Sequence, residues 1–111
     1  MKDSMSQEDI LRYKNLIISF VNNAIIQTDG VAKELNVVKS KLGVATINTK
    51  NIHVYFIGNE VIIDIYINVI FGYSVPHVVY LIQDKIINSI KESTEFDVKS
   101  VNVNVSNVIF M

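Results

Sequence analysis

The twelve residues from Glu60 to Phe71 read EVIIDIYINVIF, and an alternation this long allows little other than a β-strand. Side chains point to opposite faces at successive positions. Val61, Ile63, Ile65, Ile67, Val69 and Phe71 therefore share one wholly apolar face, and Glu60, Ile62, Asp64, Tyr66, Asn68 and Ile70 share a mixed one. Residues 52–57 alternate in the same way just before it. Between the two runs stands Gly58-Asn59, a two-residue hairpin signal, because glycine accepts the positive φ that a type II′ turn requires. A two-residue loop sets the register. Ile52 then faces Ile65, Val54 faces Ile63 and Phe56 faces Val61 on the apolar side, while His53 faces Asp64 and Tyr55 faces Ile62 on the other.

After Gly72 the period changes from two to 3.6. Val75, Val78, Val79, Ile82, Ile86 and Ile90 form one stripe, which predicts an amphipathic helix lying on the sheet and ending near Thr94. Pro76 suits the first turn, and Ser74 offers a capping oxygen. Beyond the helix, Val101, Val103 and Val105 oppose Asn102, Asn104 and Ser106, the pattern of a half-buried strand. Near the start, Ser6 can cap a first helix, with Asp9 suited to its positive end. Ile10, Tyr13, Ile17, Phe20, Val21, Ala24 and Ile25 make its stripe, and Gly30 terminates it. Leu11, Ile18 and Ile26 fall outside that stripe and read as a widened core face. Residues 31–50, with Lys33, Lys39, Lys41 and Gly43, suggest a short strand or helical turn followed by an exposed loop.

These elements predict a two-layer α+β domain. After an N-terminal helix, an antiparallel hairpin and a C-terminal strand share one small sheet, and the second helix packs on it. At 111 residues the chain makes one domain, long enough to bury about two-thirds of the surface its unfolded form exposes. Residues 1–6 read as a tail and 7–111 as the domain.

No constellation of catalytic residues stands out. Zero cysteines exclude disulfides and thiolate chemistry. His53 opposite Asp64 is the best general-base arrangement, yet a cross-strand pair contributing about 0.2–1 kcal/mol to the sheet accounts for it without chemistry. His77 belongs on the outward side of the second helix, and two separate histidines make no metal site. Asp84, Glu92 and Glu95 read as a solvated acidic face. Gly30, Gly43, Gly58 and Gly72 are isolated, so neither a Walker loop nor a dinucleotide fingerprint is present. Tyr55 and Tyr66 on an open sheet face have the look of a base-stacking platform, but Arg12 is the only arginine and the net charge is −1. The expectation is no enzyme, no cofactor, no metal and no nucleic acid. Residues 1–9 are polar, with no secretory signal, and no apolar run approaches the roughly 18–20 residues that span a bilayer.

The order VIIDIYINVIFGYSVPHVVYLIQDKIINSIKESTEFDVKSVNVNVSNV resembles the bacterial alkaline shock protein and envelope stress response family. An alternating strand, a Gly-Tyr-Ser-Val-Pro entry, a Val/Ile-patterned helix with Gln83, then Thr94 and a Val-Asn-Val-x-Val strand carry the likeness. It extends back to FVNNAIIQTDGV, residues 20–31, which is similar to that family's first helix and the Gly-Val after it. Two positions depart. Glu95 and Asn107 stand where the family tends to place glycine, and a glutamate forced into a left-handed helix cap would carry roughly 1 kcal/mol of strain. The resemblance implies an alkaline-shock-like domain, non-enzymatic and cytoplasmic, held at the inner face of the membrane by a membrane-anchored partner. It also implies a part in envelope homeostasis under stress and, for some members, in control of fatty-acid synthesis. The alternative is a soluble regulatory module that binds a metabolic enzyme of fatty-acid synthesis or a small ligand.

Half of the chain is hydrophobic, 50%, which is high for so small a domain and points to apolar surface facing a partner. With the helices on the Val61/Ile63/Ile65 face, Tyr55, Ile57, Ile62, Tyr66 and Ile70 remain opposite, among Asn68, Asn102 and Asn104. Tyr80 and Ile87 share a side of the second helix off its core stripe. An aromatic and aliphatic patch with amide neighbours has the makeup of a protein interface. Cover by residues 31–50 is the competing reading. The interface reading predicts a homo-oligomer that uses one of these two surfaces.

Overall fold

The computed structural model describes residues 5–35, 45–46 and 49–110. Helix α1 spans Gln7–Gln27, followed by the short strands β1 (Glu34–Leu35) and β2 (Ala45–Thr46), which pair with each other. A 3-10 turn at Thr49–Asn51 leads into β3 (Ile52–Ile57), then β4 (Glu60–Ile70), helix α2 (Val75–Ser93) and β5 (Asp97–Ile109). Part of the segment expected to hold a strand or turn and a loop, residues 36–44 and 47–48, lies outside the described residues.

The main sheet has the order β3-β4-β5. Its hairpin has the register set by the two-residue loop, with Ile52 opposite Ile65, His53 opposite Asp64, Tyr55 opposite Ile62 and Phe56 opposite Val61. Gly58 has φ +58° and Asn59 does not have positive φ, the sign pattern of a type II′ turn and not of type I′. Strand β5 joins the other edge of β4 in parallel, so β4, α2 and β5 form a crossover unit with α2 as the connection. Past the end of β3, the Gly30–Ala32 stretch takes its place beside β4. Ala32 N donates to Asn68 O at 2.9 Å and Ile70 N to Gly30 O at 2.7 Å.

Both helices cover one face of the sheet. Ile17, Val21, Ala24 and Ile25 of α1 and Val78, Ile82, Ile86 and Ile90 of α2 are buried with Ile52, Val54, Val61, Ile63, Ile65, Ile67 and Val69. Phe71 departs from the expected apolar face: β4 ends at Ile70, and the Phe71 ring is 61% exposed. It stacks instead on Phe110, with centroids 4.5 Å apart. The widened face expected of α1 is realised only in part, since Ile18 packs against the core while Leu11 is exposed.

The helix ends follow local chemistry. Ser6 Oγ accepts from Asp9 N, and Ser74 Oγ from His77 N, with Pro76 in the first turn. The last turn of α1 holds no basic residue, yet cations reach its carbonyl end from elsewhere. Lys85 of α2 donates to Gln27 O at 3.2 Å, and Lys33 to Thr28 O at 3.2 Å, a favourable placement for positive charge. At the end of α2 the strain expected of Glu95 does not arise. Thr94 is extended, its hydroxyl donates to Ile90 O and accepts from Phe96 N, and no residue other than glycine has positive φ among those described. The threonine side chain closes the helix, so no left-handed cap is needed. Asn107, likewise free of positive φ, lies opposite Asn68 just past a register shift.

Candidate interaction surface

The second face of the main sheet carries neither helix. On it Tyr55 is 50% exposed, Ile57 56% and Tyr66 45%, while Ile62 and Ile70 are half-buried. Register arranges them in rungs across the sheet. Tyr55, Ile62 and Ser100 form one rung, and His53, Asp64 and Asn102 the next. Tyr66 then lies beside Asn104, Asn68 beside Asn107, and Ile70 beside Ile109. Tyr55 and Ile62 are thus brought together as cross-strand neighbours. Tyr66 stands beyond a polar rung, and Ile70, eight residues from Ile62, is about 26 Å away along the strand. The surface is a striped one in which apolar rungs alternate with amides and a carboxylate.

The polar rung is structural in its bonding. Asn102 Nδ2 donates to Asp64 Oδ1 at 2.7 Å, which ties β5 to β4 across the outer face. The His53 ring does not bond that carboxylate; it meets the Tyr66 ring edge-on, with centroids 6.2 Å apart and planes at 83°. Asn104 Nδ2 donates to Ile65 O at 3.1 Å. Asn102 and Asn104 are therefore held in place, which gives the exposed tyrosines a stiff surround.

Tyr80 and Ile87, 59% and 39% exposed, belong to a different surface. They lie on the helix layer, on the opposite side of the sheet from Tyr55 and Tyr66. Gln83, three residues after Tyr80 and four before Ile87, shares their side of α2 and donates from Nε2 to Val101 O at 2.8 Å. Ile87 also lines a shallow recess with Lys91, Phe96, Asp97 and Val98. This side of α2 thus overlooks β5.

Sequence reasoning missed a third exposed group at the end of the sheet: Phe71, Tyr73, Val108 and Phe110. The signal was present, since aromatic residues flank the last polar positions of β4 and β5. His77 is exposed in the first turn of α2, and Asp84, Glu92 and Glu95 are exposed as well. Among the described residues no three His, Cys, Asp or Glu side chains come together in a way that could hold a metal ion, and no helix is long and apolar enough to cross a membrane.

No curated protein and no solved structure matches the chain. A family model does, over residues 3–110, and it describes an alkaline shock protein family with cell envelope-related function. The strand, Gly-Tyr-Ser-Val-Pro entry, helix and Val-Asn-Val-x-Val strand that suggested this family all lie within that span. The chain belongs to the alkaline shock protein family.

Proposed function

We propose that this protein serves the cell envelope by protein–protein contact, without catalysis, and that the outer face of the β3-β4-β5 sheet is the surface it offers to an envelope partner. The single observation that carries this reading is the exposure of Tyr55, Ile57 and Tyr66 on a face that neither helix covers. Tyrosine suits such a role because it combines a large apolar body with a polar tip, and interfaces are enriched in it. The amides around these rings satisfy the polar fringe of a contact. Asp64 accepts from Asn102 and the His53 ring lies edge-on to Tyr66, bonding that suits a firm contact surface. A partner anchored in the membrane would hold the domain at the inner, cytoplasmic face, and self-association through the Tyr80/Ile87 side belongs to the same reading. Affinity purification with the membrane fraction retained tests it. The wild-type chain is expected to recover a membrane protein that Tyr66→Glu does not recover. Equal recovery by both would remove the outer face from the account.

A further inference from the structure

Residues 100–106 read SVNVNVS, a palindrome centred on Val103. They occupy the middle of β5, which among the described residues has β4 alone as a neighbour in the sheet. Register shifts against β4 fall at Lys99 and at Ser106, so the regular run between the two bulges, Ser100 to Val105, holds all of the palindrome but its last serine. From Ser100 to Ile109 the strand contains no charge and no proline. Natural edge strands are guarded by such residues, because unpaired N–H and C=O groups invite another strand.

The direction of the backbone groups follows from the ladder. Asp97 N donates to Asn59 O and Phe71 N to Ile109 O, whereas Asn68 O and Ile70 N serve the Gly30–Ala32 side. Odd-numbered residues of β4 therefore turn their groups to β5. In a parallel ladder, of two facing residues one turns toward the other strand and its partner turns away. Asn102 and Asn104, opposite Asp64 and Tyr66, thus bond to β4, and Val101, Val103 and Val105 present their N–H and C=O groups at the open edge. Gln83, which donates to Val101 O, reaches that edge from the helix layer.

From this we infer that β5 pairs antiparallel with β5 of a second copy of this chain about a two-fold axis at Val103, joining two three-stranded sheets into one. This deepens the contact reading above by naming a partner and the surface it takes, and rests on it only for the premise that the domain assembles. About the axis, Val103 faces Val103 of the second copy, Val101 faces its Val105, Asn102 its Asn104 and Ser100 its Ser106. Each copy's core-side residues then meet core-side residues, which a one-residue slip would destroy. The three outward valines of each copy supply a ladder of about six backbone hydrogen bonds. Val101 O accepts one of them on the lone pair that Gln83 leaves open. Tyr80 and Ile87, on the Gln83 side of α2, come to the seam between the helix layers. A two-fold contact of this kind closes on itself and yields a dimer, not a fibre.

The test is the solution mass of the full chain, measured by sedimentation up to its highest soluble concentration. The wild type is expected at twice the 12.6 kDa chain mass. Val103→Pro removes an edge donor and leaves the ladder to β4 untouched, so the mass should fall to that of one chain. Asn102→Lys with Asn104→Lys sets like charges against each other across the axis and should do the same, and it decides the matter if the proline variant does not fold. Asn102→Lys with Asn104→Asp places opposite charges across the same axis and should restore the dimer. A monomeric wild type, a dimer that survives the paired lysines, or a lysine–aspartate pair that stays monomeric would each overturn the inference. Tyr66→Glu leaves this mass unchanged even if it abolishes recovery of an envelope partner, so the two readings fail separately.

Discussion

Ile65 and Tyr66 are chain neighbours on opposite faces of β4, one fully buried and the other 45% exposed. On the Ile65 face every β4 position is aliphatic and two helices press against it. On the Tyr66 face aromatic, aliphatic, amide and acidic residues alternate, and neither α1 nor α2 lies over them. One face carries the stability of the domain, through apolar area removed from water. The other costs the fold little to change, so what is kept there is free to serve recognition. The shared strand keeps the second face rigid because the first is packed.

The comparison would be broken most readily by residue 65. Ile65→Ala leaves a cavity beneath both helices and is expected to cost about 3 kcal/mol, read as a lower denaturant midpoint. A loss well under that would mean the helix-covered face is not the seat of stability. Gly30→Ala probes the stretch that completes the sheet beside β4. Gly30 has φ +95°, and a Cβ there would meet the Tyr73 ring at 2.7 Å, so a loss of roughly 2 kcal/mol is expected on thermal unfolding. On the outer face the effects shrink. Asn102→Ala breaks the bond to Asp64 and should cost about 0.5 kcal/mol, exposed as that bond is. Tyr66→Glu should change stability by no more than about 0.5 kcal/mol while abolishing recovery of the envelope partner. A large stability loss in that variant would make Tyr66 a core residue in all but position.

Much of this was legible in the residues. The hairpin register followed from Gly58-Asn59 alone, because a two-residue turn leaves one way to align the faces. Ser6, Ser74, Pro76 and Thr94 marked helix ends through local bonding that requires no knowledge of the rest of the fold. The direction of β5 was less accessible: it depends on α2 crossing the sheet, and alternation looks the same in parallel and antiparallel strands. Phe71 misled because alternation says which face a residue takes but not where the partner elements stop. Of the interaction surface, the sequence separated Tyr55, Ile62, Tyr66 and Ile70 from the core face. It also set His53 opposite Asp64 among them, but not Asn102 beside Asp64, since that pairing depends on how β5 aligns with β4. Nor could Tyr80 and Ile87 be related to the β5 edge before the Gln83 bond placed that side of α2 over it.

The central claim is that the outer sheet face touches an envelope partner. It is tested most directly by placing a photocrosslinking residue at Tyr66, and separately at Asn15 on the exposed side of α1, in growing cells. The account predicts a crosslink to a protein of the cell envelope from position 66 and none to that protein from position 15. No product at position 66, or the same product from both positions, would contradict it.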